Sequence, residues 1–332
     1  MAISYPPRIA LAQTPTPLQL LPRVSELYGQ GCRIWVKRDD LTGAALSGNK
    51  IRKLEFVVAA AREQGCDTLI TCGGEQSNHC RATALVGAQL GFHVHLLLRG
   101  KAPQDIDGNL LLDHLAGATI NHYAGREFSS DDLEQVFTDW QNHYASQGHK
   151  AYCIPIGASD GVGIWGYIAA AQELQGDMQA AQISKANVVC ATGSGGTQAG
   201  LTLGTVLHDV PMQVWGVNVC EDEAWFVNKI AADIADWQQR YQQVLPGPAP
   251  VAKVIDGYVG PGYGRATTEI FELIAELASL EGLVLDPVYT GKAFYGMLQE
   301  IARGRFADCE DIIFVHTGGI YGLFPQRQNF SL

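Results

Sequence analysis

Residues 187–209, NVVCATGSGGTQAGLTLGTVLHD, hold the pattern that decides the fold. The apolar run from Val188 to Ala191 has the length of a buried strand. Glycines at 193, 195 and 196 interrupt it, and helical spacing follows from Thr197 to Asp209. A strand that empties through a glycine loop into a helix is the repeating unit of an α/β sheet. Glycines let backbone N–H groups turn inward around an anion, and the amino end of a helix adds partial positive charge. Ser194 and Thr197 add hydroxyl donors. Gly193, Ser194, Gly195, Gly196 and Thr197 therefore form a candidate phosphate cup, although a tight strand-to-helix turn would use the same residues. The loop lacks the lysine of a Walker motif. It also lacks the glycine spacing and acidic partner of a dinucleotide fingerprint. A small phosphorylated cofactor fits better than a nucleotide.

The same alternation runs outward in both directions. RIWVKRDD (33–40), DTLITCGG (67–74), FHVHLLLRG (92–100), KAYCIPIG (150–157), QVWGVNVC (213–220) and DIIFVHTGG (311–319) have strand character. KLEFVVAAAREQG (53–65), NHCRATALVGAQLG (78–91), GNLLLDHLAGA (108–118), GVGIWGYIAAAQELQ (161–175), TEIFELIAELASLEG (268–282) and GKAFYGMLQEIARG (291–304) have helical spacing. This predicts an α/β fold with open, mostly parallel sheets flanked by helices. In such sheets ligands bind beyond the carboxyl ends of the strands. Those ends carry CGGEQSNH, ATGSGG and HTGG.

Composition narrows the class. The 332 residues are 47% apolar and 17% charged, enough for a real core. A net charge of −11 argues against a nucleic-acid partner. No apolar run is long enough for a membrane span, and the first residues lack the form of a signal peptide. The eight cysteines, none in a C-x-x-C pair, are expected to be reduced and buried in a cytoplasmic protein. Cys72, His79 and Cys80 fit no common zinc spacing, so no metal is expected.

One stretch is out of character. SGNKIRKLEF (47–56) sets Lys50, Arg52 and Lys53 within four residues of an acidic chain. A solvated first turn of a helix would explain them. A pyridoxal phosphate site would explain them differently, because that cofactor needs a lysine to bond it, a phosphate cup and a contact to its pyridine nitrogen. Neighbouring positive charge would then lower the pKa of the bonding lysine.

These motifs together resemble one family. TPTPLQLLPRVSEL, KRDD, SGNKIRKLEF, GGEQSNHCRATA, YCIPIGAS, GIWGYI, ATGSGGTQAGL, DPVYTGKAFYGM and FVHTGG occur in its order across nearly the whole chain. The family is that of 1-aminocyclopropane-1-carboxylate deaminase and D-cysteine desulfhydrase, pyridoxal-phosphate enzymes of fold type II. The resemblance implies a small domain at 50–165 inserted in a larger one at 1–49 and 166–332, with the active site in the cleft between. It implies Lys50 as the cofactor-bonding lysine, Lys53 as a phosphate contact, and Asn78 as the partner of the cofactor's phenolic oxygen. Ser77 to His79 are similar to the segment that grips the substrate carboxylate, with Ser77 also a candidate cap for the helix after it. Tyr289 matches the tyrosine against the cofactor ring, Tyr263 a second active-site tyrosine, and Thr317 the residue near the pyridine nitrogen. His79 has an equally good reading as a packed, hydrogen-bonded ring, and the tyrosines as half-buried aromatics. Asp39 and Asp40 read as structural partners of Arg and Lys. The resemblance also implies a homodimer and a small amino-acid substrate.

Position 290 bears on the reaction. Deaminases of this family carry a glutamate there, facing the pyridine nitrogen; this chain has Thr290. Without that carboxylate the cofactor is a weaker electron sink. The expectation is therefore β-elimination, with D-cysteine giving pyruvate, ammonia and hydrogen sulfide. A cysteate sulfo-lyase, a β-replacement enzyme, a cyclopropane deaminase and a non-catalytic phosphate-ligand binder remain as alternatives.

Overall fold

The computed structural model describes residues 3–124 and 130–331. Among these the strands form two sheets. The chain opens with β1 (Leu18–Leu20), α1 (Pro22–Tyr28) and β2 (Arg33–Lys37). It continues through α2 (Asn49–Glu63), β3 (Thr68–Gly74), α3 (Asn78–Leu90), β4 (His93–Arg99), α4 (Gly108–Leu115), β5 (Thr119–Tyr123), α5 (Ser130–Ser146) and β6 (Ala151–Ile154). Then come α6 (Trp165–Ala180), β7 (Ala186–Thr192), α7 (Gly196–His208), β8 (Met212–Asn218) and α8 (Glu223–Tyr241). The last elements are β9 (Lys253–Ile255), α9 (Thr268–Glu281), α10 (Thr290–Ala302) and β10 (Asp311–Val315).

The smaller sheet has the order β5-β4-β3-β6 and is parallel throughout. The larger runs β1-β2-β10-β7-β8-β9, with only β1 antiparallel to its neighbour. In each sheet one strand is where the order reverses. From β3 the chain steps to β4 and β5, then returns to β6 on the other side. From β7 it steps to β8 and β9, then returns to β10. Crevices for ligands open at such reversal points. The segments that leave β3 and β7 are GEQSNH and GSGGT.

A stripe of small residues draws the glycine loop inward. A Cβ on Gly200 would stand 2.5 Å from the Ile164 carbonyl oxygen and from Tyr167 Cβ, and one on Gly204 2.5 Å from Ala171 Cβ. Only glycine lets α7 lie this close to α6. On Gly166 the clash would be with the Arg52 carbonyl oxygen at 2.4 Å, so α6 in turn presses on α2. One apolar core joins these helices to the smaller sheet: Ile51, Leu54 and Leu69 pack in the same cluster as Trp165, Leu203 and Trp237. Burying such large side chains stabilises each by roughly 1.5–3 kcal/mol, and here the burial also fixes the helix that carries Lys50. No helix among the described residues is long and apolar enough to cross a membrane.

Candidate active site

The two reversal points face one cleft of about 800 Å³. Lys50, Ser77, Asn78, His79, Tyr263, Tyr289 and Thr317 all line it, together with Gly193, Ser194, Gly195 and Thr197. Gly196 stands just behind this wall as the first residue of α7.

The three cations of the 47–56 stretch part company because α2 begins among them. Lys50 reaches the cleft. It is partly buried, and desolvation pushes its pKa down to about 8, with Cys80 opposing the shift. Arg52 turns the other way. Its Nε donates to Asp39 Oδ2 at 2.9 Å and its Nη1 to Glu173 Oε2 at 2.9 Å. Burial alone would raise the Asp39 and Glu173 carboxyls; Arg52 outweighs it, holding Asp39 below its usual range and Glu173 at about 2. The expectation that Arg52 contributes to the field on Lys50 is therefore corrected: its charge is spent on two carboxylates, and desolvation does the work on Lys50. The reading of Asp39 and Asp40 as structural partners matches the geometry, since Arg38 is paired with Asp40 at 2.7 Å.

Lys53 takes a third direction. Its ammonium lies behind the glycine loop, fully buried, donating to the Gly157 carbonyl at 3.0 Å and to Ser159 Oγ at 3.4 Å. Burial, and then the charge of Lys50, holds its pKa well below the ordinary lysine value. Ser159 continues the chain of contacts: its Oγ is 2.8 Å from Ser194 Oγ and accepts from the Gly196 N–H at 3.1 Å. Lys53 thus supports the candidate cup from behind and does not line the cleft. From the other side, Asn49 Nδ2 donates to Thr197 Oγ1 at 2.9 Å, and the Asn49 N–H donates to the Thr317 carbonyl at 3.1 Å. The first residue of α2 thereby ties the loops after β7 and β10 together.

On the opposite wall Ser77 caps α3, its Oγ accepting from the Cys80 N–H at 3.2 Å. Such a cap is worth about 1 kcal/mol. Asn78 Oδ1 accepts from Asn109 Nδ2 at 3.0 Å, which leaves its amide nitrogen to donate into the cleft. His79 Nε2 lies 2.8 Å from Thr71 Oγ1, and that hydroxyl donates to the Ile154 carbonyl at 2.9 Å. The proton must therefore sit on Nε2. Burial and the charges of Lys50 and Lys53 keep the ring neutral.

Tyr289 starts α10 and Tyr263 projects from the segment before α9; their hydroxyls form a short hydrogen bond. Burial of that end raises Tyr263 to about 12, while the bond to Tyr289 works the other way. Burial, and then the neighbouring Tyr263, holds Tyr289 well above the ordinary tyrosine value. Thr290 corrects an expectation. It is fully buried, its hydroxyl donates to Asp286 Oδ1 at 2.7 Å and accepts from the Asp286 N–H at 2.8 Å, and it does not line the cleft. Among the described residues the carboxylates that do line it, Glu134 and Glu221, are both exposed.

The residues fit pyridoxal phosphate on three counts. A partly buried amine with lowered pKa stands in the cleft. A cup of glycines and hydroxyls opens at a helix N-terminus. Two buried polar atoms on lining residues, His79 Nδ1 and Thr192 Oγ1, find no hydrogen-bond partner among the described residues. Sequence reasoning missed Asn49, Gly157, Ser159, Thr192 and Arg99. Gly157 and Ser159 lie in the quoted IPIGAS segment, so a signal existed; nothing in the sequence marked Arg99, which ends β4 at the cleft wall.

The profile of the family described as pyridoxal-phosphate dependent enzymes matches residues 9–318. A Thermotoga maritima protein named as a candidate 1-aminocyclopropane-1-carboxylate deaminase is 42% identical over 322 residues, covering 97% of this chain and 99% of its own. D-cysteine desulfhydrase of Klebsiella pneumoniae is 39% identical over 324 residues, with 96% and 95% covered. The crystal structure of a protein described as a homologue of the deaminase has a TM-score of 0.86 to this fold at 34% identity, covering 97% of this chain and 95% of the other.

Proposed function

Because this chain belongs to the pyridoxal-phosphate-dependent enzymes, in the family of 1-aminocyclopropane-1-carboxylate deaminases and D-cysteine desulfhydrases, we propose that it eliminates hydrogen sulfide from D-cysteine. The observation that carries the choice is Thr290. It offers no carboxylate to the cleft, and the carboxylates on the lining are exposed ones.

When bound, pyridoxal phosphate supplies an electron sink for the carbanion left by α-proton removal. The chain's own groups do the rest. Lys50, with a pKa lowered to about 8, would hold the cofactor and is the base placed to move the α-proton. The 193–197 loop, backed by Ser159 and Lys53, receives the phosphate. The Asn78 amide nitrogen would donate to the cofactor's phenolic oxygen. Ser77 and the first N–H groups of α3 receive the substrate carboxylate, as a helix N-terminus suits an anion. Neutral His79 packs behind this segment, held by Thr71. The Tyr263–Tyr289 pair, both uncharged at neutral pH, flanks the reacting end and can pass a proton toward a departing thiolate. Thr317, on the cleft wall, would offer a pyridine nitrogen a hydroxyl and no charge, which suits elimination of a good leaving group better than opening of a cyclopropane.

Equal amounts of sulfide and pyruvate from D-cysteine, both lost in Lys50→Ala, are the expected result. Sulfide without Lys50 would refute the assignment. One observation favours a second reading. Arg99 brings a guanidinium to the cleft wall, and its charge is felt at the Tyr263 hydroxyl. A sulfonate leaving group would use such a cation, so sulfite release from L-cysteate is the matching assay.

A further inference from the structure

Tyr263 stands on an arch with no regular structure of its own. Gly260, Gly262 and Gly264 all take positive φ, at 67°, 130° and 75°. A segment bent this way has no ladder to hold it, yet the Tyr263 hydroxyl meets that of Tyr289. The fixing group is Lys292, one helical turn beyond Tyr289 in α10. Its side chain is buried, and its ammonium donates to the Val259 carbonyl at 2.7 Å and to the Gly262 carbonyl at 2.9 Å. Gln326 Nε2 adds a longer bond to the Gly264 carbonyl at 3.3 Å.

Burying an ammonium against carbonyls is an expensive way to fill space, and an apolar side chain would serve packing better. What the amine gives that an apolar group cannot is a two-point grip on the main chain, before Gly260 and at Gly262, the residue preceding Tyr263. The grip comes from the helix end that also bears Tyr289. One short segment, Tyr289 to Lys292, therefore fixes both phenols.

We propose that Lys292 is a positioning residue that clamps the 259–264 arch and so sets the Tyr263 hydroxyl against Tyr289 at the substrate end of the cleft. The inference rests on reading that cleft as the β-elimination site, with Tyr263 toward the substrate. Lys292 touches neither substrate nor cofactor; it acts through Tyr263.

A double-mutant cycle tests this. In holoenzyme, Lys292→Met should lower kcat for sulfide release about tenfold, with KM and cofactor absorbance nearly unchanged. Tyr263→Phe should do the same. The double variant should be no slower than Tyr263→Phe alone, because the lysine has nothing left to position. Lys292→Arg, which keeps donors for both carbonyls, should recover most of the rate. Lys292→Gln takes the place of the methionine variant in the cycle should that one not fold. Independently of activity, trypsin should cut the Lys292→Met apoenzyme after Arg265 several-fold faster than wild type. Losses that multiply in the double variant would overturn the proposal, as would a fully active Lys292→Met or a fully active Tyr263→Phe beside a slow Lys292→Met. If wild type releases no sulfide, the reading of the cleft fails, and the trypsin measurement still decides the clamp: unchanged cleavage after Arg265 would overturn it.

Discussion

Lys50 and Ser194 press on the same glycine. A Cβ built on Gly157 would stand 3.2 Å from Lys50 Nζ and 2.3 Å from Ser194 Oγ. The amine assigned to the cofactor and the loop assigned to its phosphate are thus separated by one residue without a side chain. Gly157 also has φ +67°, which a substituted residue resists. Gly157→Ala should strip the purified protein of cofactor while its far-UV circular dichroism stays the same. Full cofactor content in that variant would show that the approach does not matter.

Lys50 should show its lowered pKa directly. Only the neutral amine can bond an aldehyde, so the rate of pyridoxal phosphate capture by apoenzyme should climb about tenfold per pH unit up to about 8 and then level off. A lysine at its ordinary value of 10.5 would keep climbing. The stability of the apoenzyme carries the same sign. Below pH 8 the ammonium is charged folded and unfolded, and its burial costs in full. Between about 8 and 10.5 the unfolded chain holds the extra proton, so stability should rise with pH. Stopped-flow absorbance and thermal melts check the two halves.

Arg52→Met separates the second cation from the first. It takes from buried Asp39 its ion-pair partner and leaves Glu173 with Lys37 alone, which should cost about 3 kcal/mol in denaturant melts. The capture midpoint of Lys50 should not move, because Arg52 is neutralised where it stands. A shift of that midpoint by a full pH unit would restore the shared-field idea.

This is where the sequence could and could not be followed. Strand, glycine loop and helix at 187–209 were legible because backbone freedom and apolar spacing are local properties. So was the Ser77 cap, set by residues three apart. The directions of Lys50, Arg52 and Lys53 were not. They depend on Glu173, 121 residues from Arg52, and on Gly157, 104 residues from Lys53. The orientation of Thr290 was hidden for a different reason. Its partner Asp286 is only four residues away, but that bond turns the side chain from the cleft only because the intervening Pro287–Tyr289 turn is closed by Asp286 accepting from Val288, Tyr289 and Thr290.

Thr290→Glu therefore has two expected effects. A second carboxylate beside fully buried Asp286 should lower the melting temperature, because like charges in a dry site repel. Where the new group swings toward the cleft, it should favour a protonated pyridine nitrogen and slow sulfide release, with at most a trace of cyclopropane opening. A variant as stable and as fast as wild type would show that position 290 does not tune the reaction.

The ratio of kcat/KM for sulfide release from D-cysteine to that for ring opening of 1-aminocyclopropane-1-carboxylate, measured on one wild-type preparation, tests the central claim most directly. The absence of an inward carboxylate predicts a ratio above about a thousand, a difference of roughly 4 kcal/mol between the two transition states. A ratio near one, or a faster ring opening, would contradict it.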